Sequence, residues 1–296
     1  MDEVDLLRLA ALTRSIILRL ATASILLCLA CPEAWAAITA SNLTTGNAAS
    51  VTSTTTASIS PTANALVIVS VASRNFTGAG PATVPTVTGA SGTWVQIATV
   101  SDGSAGARTV TLFRDLSASP GSGILTIDFA GVNQGSVGWS IDQLQGTDTT
   151  GTNGSGAIVQ TGSLNPATGT TTSGLITLSA FGSANNAAYG FIRNSGAVTI
   201  VVGSGFTSLA NFMTAGGEHV AEWKLNDNTV DWTWASQSVT SVAIAAEIKA
   251  STGPVVPQAS PWPVLGLGPG GALGGAILLL QNTSALLTDA GLDMFL

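Results

Sequence analysis

From Ala37 to about Lys249 the chain alternates short runs of Val, Ile, Leu and Thr with clusters of Gly, Ser, Asn and Thr, and no segment holds a helical period. The runs that predict strands are Val51–Ser58, Ala65–Ser73, Thr93–Asp102, Thr109–Leu116, Ile124–Ala130, Val137–Leu144, Leu175–Phe181, Ala187–Arg193, Val198–Val202, Phe206–Met213, His219–Leu225, Thr229–Ala235 and Val239–Ile248. Short strands with turn signals roughly every ten residues predict an all-β sandwich or barrel. Within "TVDWTWAS", strand alternation puts Val230, Trp232 and Trp234 on one face and Thr229, Asp231 and Thr233 on the other.

The runs also repeat. "NALVIV" from Asn64, "GTW" ending at Trp94, "VTLFR" from Val110, "ILTIDFAG" from Ile124 and "VGWSIDQL" from Val137 are answered in order. The answering segments are "NAAYGF" from Asn186, "GF" at Phe206, "VAEWK" from Val220, "TVDWTWAS" from Thr229 and "VAIAAEI" from Val242. The spacing shrinks from 122 residues (Asn64 to Asn186) to 104 (Leu144 to Ile248), so the second copy has the shorter loops. This predicts an antiparallel, jelly-roll-like β-sandwich formed from two pseudo-repeated halves over residues 37–250. Trp232 then matches Ile127 and Trp234 matches Phe129, which makes the tryptophan pair core rather than a ligand platform. Asp128 and Asp231 are matched as solvated strand residues on the opposite face.

Composition narrows the class. Only 8% of the 296 residues are charged, against about 25% in an ordinary soluble domain. The surface is therefore polar but nearly neutral, as in extracellular, virion and repetitive structural proteins. A net charge of −7 with no cluster of Lys and Arg argues against nucleic acid.

The two ends differ from the middle. Arg8, Arg14 and Arg19, the apolar run Leu20–Ala30 and Ala34-Trp-Ala36 read as a signal peptide or N-terminal anchor helix over residues 1–36. Both cysteines, Cys28 and Cys31, fall inside it, so the exported chain would have no disulfide, thiolate metal site or cysteine nucleophile. Residues 251–264, with Pro254, Pro257, Pro261 and Pro263, read as a stiff linker, and 265–296 as a Gly/Leu-rich assembly tail. The glycines and Pro269 of that tail make it a poor membrane-spanning helix.

Candidate chemistry is sparse. The one histidine, His219, has no G-x-S-x-G partner motif and reads as a surface or loop residue. Asp115, Asp128, Asp142, Asp231 and Glu247 are the carboxylates from which a glycosidase pair could be drawn. Asn226-Asp-Asn228 and the Asp148–Gly156 loop lack EF-hand spacing and read as turns. No catalytic, cofactor or metal residues are assigned, and the chain is read as no enzyme. Trp94 and Trp139 are the candidate ligand contacts.

The series "PTANALVIVSVASRN", "GTWVQIATV", "RTVTLFRDLS", "GILTIDFAG", "VGWSIDQLQGTD", "AFGSANNAAYGFIRN", "GSGFTSLANF" and "VAEWKLNDNTVDWTWAS" resembles the Ser/Thr/Gly-rich β-sandwich modules of phage minor tail and fibre-type proteins and of secreted bacterial surface proteins. The resemblance implies a non-catalytic structural or attachment protein, extracellular as a virion or cell-surface component. Its partners would be further copies or other structural proteins, engaged through the C-terminal tail. A secreted carbohydrate-binding module that takes a surface glycan is the alternative, and a glycan hydrolase the third reading.

Overall fold

The computed structural model describes residues 37–75, 83–103, 107–165, 172–196, 198–235 and 239–252. The export segment at 1–36 and the assembly tail at 265–296 lie outside the described residues, as does the linker beyond Thr252.

Sixteen strands are present among the described residues: β1 Thr39–Ala48, β2 Ser53–Thr55, β3 Leu66–Arg74, β4 Thr86–Gly89, β5 Val95–Ser101, β6 Arg108–Leu116, β7 Leu125–Asp128, β8 Ser136–Gln145, β9 Ile158–Leu164, β10 Ser173–Thr177, β11 Ala187–Asn194, β12 Ile200–Val202, β13 Thr207–Thr214, β14 Gly217–Leu225, β15 Thr229–Trp234 and β16 Ser241–Ile248. All pairings between them are antiparallel. The first half forms a five-stranded sheet, β1-β8-β3-β6-β5, and a three-stranded sheet, β2-β7-β4. The second half repeats both with each strand number raised by eight: β9-β16-β11-β14-β13 and β10-β15-β12. Each half is thus a jelly-roll-like sandwich of its own, in which the fifth strand joins the larger sheet.

The two sandwiches pack back to back through their five-stranded sheets. Leu66, Ile68, Leu112 and Leu144 of the first half meet Tyr189, Phe191, Ile244 and Ile248 of the second in a central core. Val67, Val69 and Phe113 turn the other way, against Leu125, Ile127 and Phe129 of the first three-stranded sheet. Ile192, Val220 and Ala243 do the same against Val230, Trp232 and Trp234. Four layers result. The inner strands are covered on both faces, which explains why β3, β8, β11 and β16 are buried almost throughout while β10 alternates in the manner of a half-exposed strand.

The match of Trp232 and Trp234 to Ile127 and Phe129 holds: all four are buried in the equivalent outer cores. Two other matches are corrected by one residue. Leu66 pairs with Leu144 and Ala187 with Ile248, so β3 corresponds to β11 at a spacing of 121, not 122. Likewise Leu116 and Leu225 are equivalent, which sets Phe113 opposite Glu222 rather than Trp223. Asp128 and Asp231 are also not equivalent. Asp128 pairs with Ser53 as Thr233 pairs with Ser173, one row away from Asp231. A one-residue slip exchanges the two faces of a strand, and the corrections at β3 and β6 put each residue on the same face as its counterpart, even where, as at Phe113 and Glu222, the side chains differ.

Buried polar groups also join the halves. The Tyr189 hydroxyl reaches Ser70 Oγ and Asp142 Oδ2, both at 2.7 Å, across the central layer. Asp142 also accepts from Asn42 Nδ2 at 2.8 Å and from Ser140 Oγ at 2.9 Å. Burial pushes the Asp142 carboxyl up to about 6, against these three donors.

Candidate functional site

A cavity of about 580 Å³ opens at one end of the second half, where β9 and β16 meet the loop before β11. That volume suits a small ligand such as a sugar ring. Its wall combines the apolar Ile158 and Val159 with Ser183, Asn186, Glu247 and Lys249. Glu247, next to last in β16, is 1% exposed. Strand alternation turns it away from the central core, which its neighbours Ala246 and Ile248 enter.

The Glu247 carboxylate is held at two points. Asn186 Nδ2 donates to Oε1 and Gln160 Nε2 to Oε2, both at 2.6 Å. Each donor is itself fixed: Asn186 Oδ1 accepts from Ala250 N–H at 3.0 Å, and Gln160 Oε1 accepts from Ser179 N–H at 2.9 Å. Lys249 is engaged elsewhere, in an ion pair with Asp148 at 2.6 Å. Burial raises the Asp148 carboxyl, but donors from Lys249 and Thr150 outweigh it and hold the group below its ordinary range. The site therefore presents a fixed carboxylate acceptor beside an apolar wall. Both oxygens of that carboxylate are already engaged, by Asn186 and Gln160, so a ligand's hydroxyl or cationic donor would share them.

Trp94 lies on the loop after β4, half-buried against the outer core of the first half. Its Nε1 donates to Gly89 O at 3.1 Å. Thr93 N–H points to Asp115 Oδ1 at 3.4 Å, and Gly92 leaves room for both the ring and the carboxylate. Burial raises the Asp115 carboxyl. Trp139 is placed differently. On β8 it is 4% exposed inside the first outer core, and Gly46 on β1 packs so closely on its ring that an added Cβ would lie 2.4 Å from Cζ2. It fills the core and offers a ligand no surface.

His219 is not a surface residue. It is wholly buried on β14, stacked on Phe212 with ring centroids 5.0 Å apart. Burial, with the nearby Arg193, holds its imidazole well below the usual range, against backbone contacts from Phe212 and Gly217. The five candidate carboxylates are dispersed. Asp142 lies in the central layer, Asp128 and Asp231 on different three-stranded sheets, Asp115 beside Trp94 and Glu247 at the cavity. The turns read at Asp148–Gly156 and Asn226–Asn228 are formed by their own side chains: Asp148 accepts Thr150 N–H at 2.7 Å and Asp227 accepts Thr229 N–H at 2.9 Å.

Comparison of the chain with protein-family models, with characterised proteins and with solved structures returned no match.

Proposed function

We propose that this is a non-catalytic structural or attachment protein, a virion tail or fibre component or a secreted cell-surface component. The observation that supports it is the hydroxyl-rich, sparsely charged outer faces of the duplicated sandwich. On the first three-stranded sheet Ser53, Asp128 and Thr86 form one cross-strand row, and Thr55, Thr126 and Thr88 the next. On the second, Ser173 and Thr233 form the start of such a row, which the exposed Val201 completes. Such faces make many weak, mostly uncharged contacts, which become strong when several copies are joined. Residues 265–296 would join them. The test incubates fluorescent full-length protein with intact bacterial cells and with purified virions. Saturable retention on one of them is expected, and retention on neither overturns the proposal.

A second reading, a carbohydrate-binding module, is favoured by the Glu247 cavity. A glycan array probed with the wild-type chain, Glu247→Gln and Trp94→Ala separates the possibilities. Saturable binding lost in Glu247→Gln places a sugar in the cavity, loss in Trp94→Ala places it on the first half, and an array silent for the wild type removes this reading.

A further inference from the structure

The two halves differ at the Glu247 cavity. Leu144 and Ile248 occupy matching places on β8 and β16, so Gln143 is the counterpart of Glu247, and β1 is that of β9. Gln143 Nε2 donates to Ser41 Oγ on β1 at 3.2 Å, and its Oε1 accepts Thr62 N–H, from the loop before β3, at 3.0 Å. Glu247 likewise ties Gln160 of β9 to Asn186 of the loop before β11. A neutral amide therefore suffices to fasten an edge strand and a loop to the strand between them. The carboxylate at Glu247 adds a charge that this fastening does not require.

Among the described residues that charge has no counter-ion. Both of its donors are uncharged amides, and Lys249 on the same cavity wall is taken by Asp148 at 2.6 Å. A buried carboxylate served only by neutral donors is costly, and each of its oxygens keeps a lone pair for one further donor. The edge strand has changed as well. β9 slips its register against β16 between Glu247 and Ile248, whereas β1 runs in register past Gln143 and Leu144. The slip leaves Val159 as an extra residue beside Glu247, 51% exposed and on the cavity wall. Charge, apolar wall and cavity thus come together at one corner of the second half. We infer that this cavity binds the primary ammonium group of a small ring compound, the ammonium donating to Glu247 and the ring lying against Ile158 and Val159. A charge-assisted hydrogen bond of this kind supplies the missing counter-charge. The inference rests on the cavity being a ligand site, as the carbohydrate-binding reading does, and an amino sugar is the form of ligand common to both.

Calorimetric titration of the full-length protein with glucosamine, cyclohexylamine, glucose and glucuronate, at constant ionic strength and at a pH that keeps both amines protonated, tests this. Saturable binding of one amine per chain is expected, at least tenfold tighter than that of glucose and weakened at least tenfold in Glu247→Gln. Tighter binding of glucosamine assigns the site to amino sugars and tighter binding of cyclohexylamine to simple amines, and both support the inference. The ligand series on the wild type keeps the test valid should Glu247→Gln fail to fold. Glucose that binds as tightly as glucosamine overturns the inference and leaves the carbohydrate-binding reading standing. Glucuronate that binds more tightly than either amine, or equal binding of the amines by folded Glu247→Gln, also overturns it. Silence of all four ligands overturns the inference, and the glycan array then decides the carbohydrate-binding reading by itself.

Discussion

The Tyr189 hydroxyl donates to Asp142 Oδ2 at 2.7 Å, from β11 of the second half to β8 of the first. The same hydroxyl meets Ser70 on β3, so one side chain ties two strands of the opposing sheet. Tyr189→Phe keeps the ring but removes one of the three donors to the buried Asp142 carboxyl and leaves the buried Ser70 hydroxyl without its Tyr189 partner. A loss of about 1–3 kcal/mol is expected in chemical denaturation, the cost of unsatisfied buried polar groups.

Asp142 also makes stability depend on pH. Burial raises its folded-state pKa from 3.8 to about 6, so between those values the folded chain holds a proton that the unfolded chain has released. Stability from this group is full below about pH 4 and falls as pH rises to 6, by about 3 kcal/mol in all. Glu222, pushed up to about 8 chiefly by burial, with Asp231 adding, acts in the same direction between 4.5 and 8. His219 acts oppositely: its lowered pKa weakens the fold as pH drops below 6.5. Melting curves across pH 4–8 should therefore show a smaller acid-to-neutral decline in Asp142→Asn and Glu222→Gln than in the wild type. A substitution of His219 by Gln should protect the acid side.

Core and surface tryptophans should separate cleanly. Trp232 is wholly buried in the second outer core, and Trp232→Ala is expected to cost about 3–5 kcal/mol. Trp94 is half-buried on a loop, and Trp94→Ala should cost less than half as much in the same urea titration.

Two glycines let strands lie flat on aromatic rings. A Cβ at Gly190 would come within 2.5 Å of Val230 Cγ1 and 2.7 Å of Trp232, and one at Gly46 would strike the Trp139 ring. Gly190→Ala and Gly46→Ala are each expected to destabilise by about 1–3 kcal/mol through overpacking, read as a lowered urea midpoint.

Much of this architecture was legible in the sequence. Every run read as a strand overlaps one, and the duplication is present strand for strand. The three strands that the pattern did not announce, β1, β4 and β9, are all sheet edges. An edge strand has a hydrogen-bonded neighbour on one side only, and in "TASNLTTGNA" the hydroxyls and amides read as turn rather than strand. Register at β3 and β6 failed for a different reason. Matching the letters of "NALVIV" to "NAAYGF" ignored which face meets the core, and the fold preserves the face. The burial of His219 was hidden because it depends on a second five-stranded sheet, whose position no single strand encodes. The Glu247 cavity was hidden similarly: Asn186, Gln160 and Glu247 are brought together by β9 lying against β16, an edge pairing that the pattern did not reveal.

Immunogold electron microscopy with antibody to the full-length chain tests the central claim most directly, applied to the source cells and to particles they release. Gold on virion tails or on the outer cell surface is the predicted result, and gold confined to the cytoplasm would contradict a structural or attachment role outside the cell.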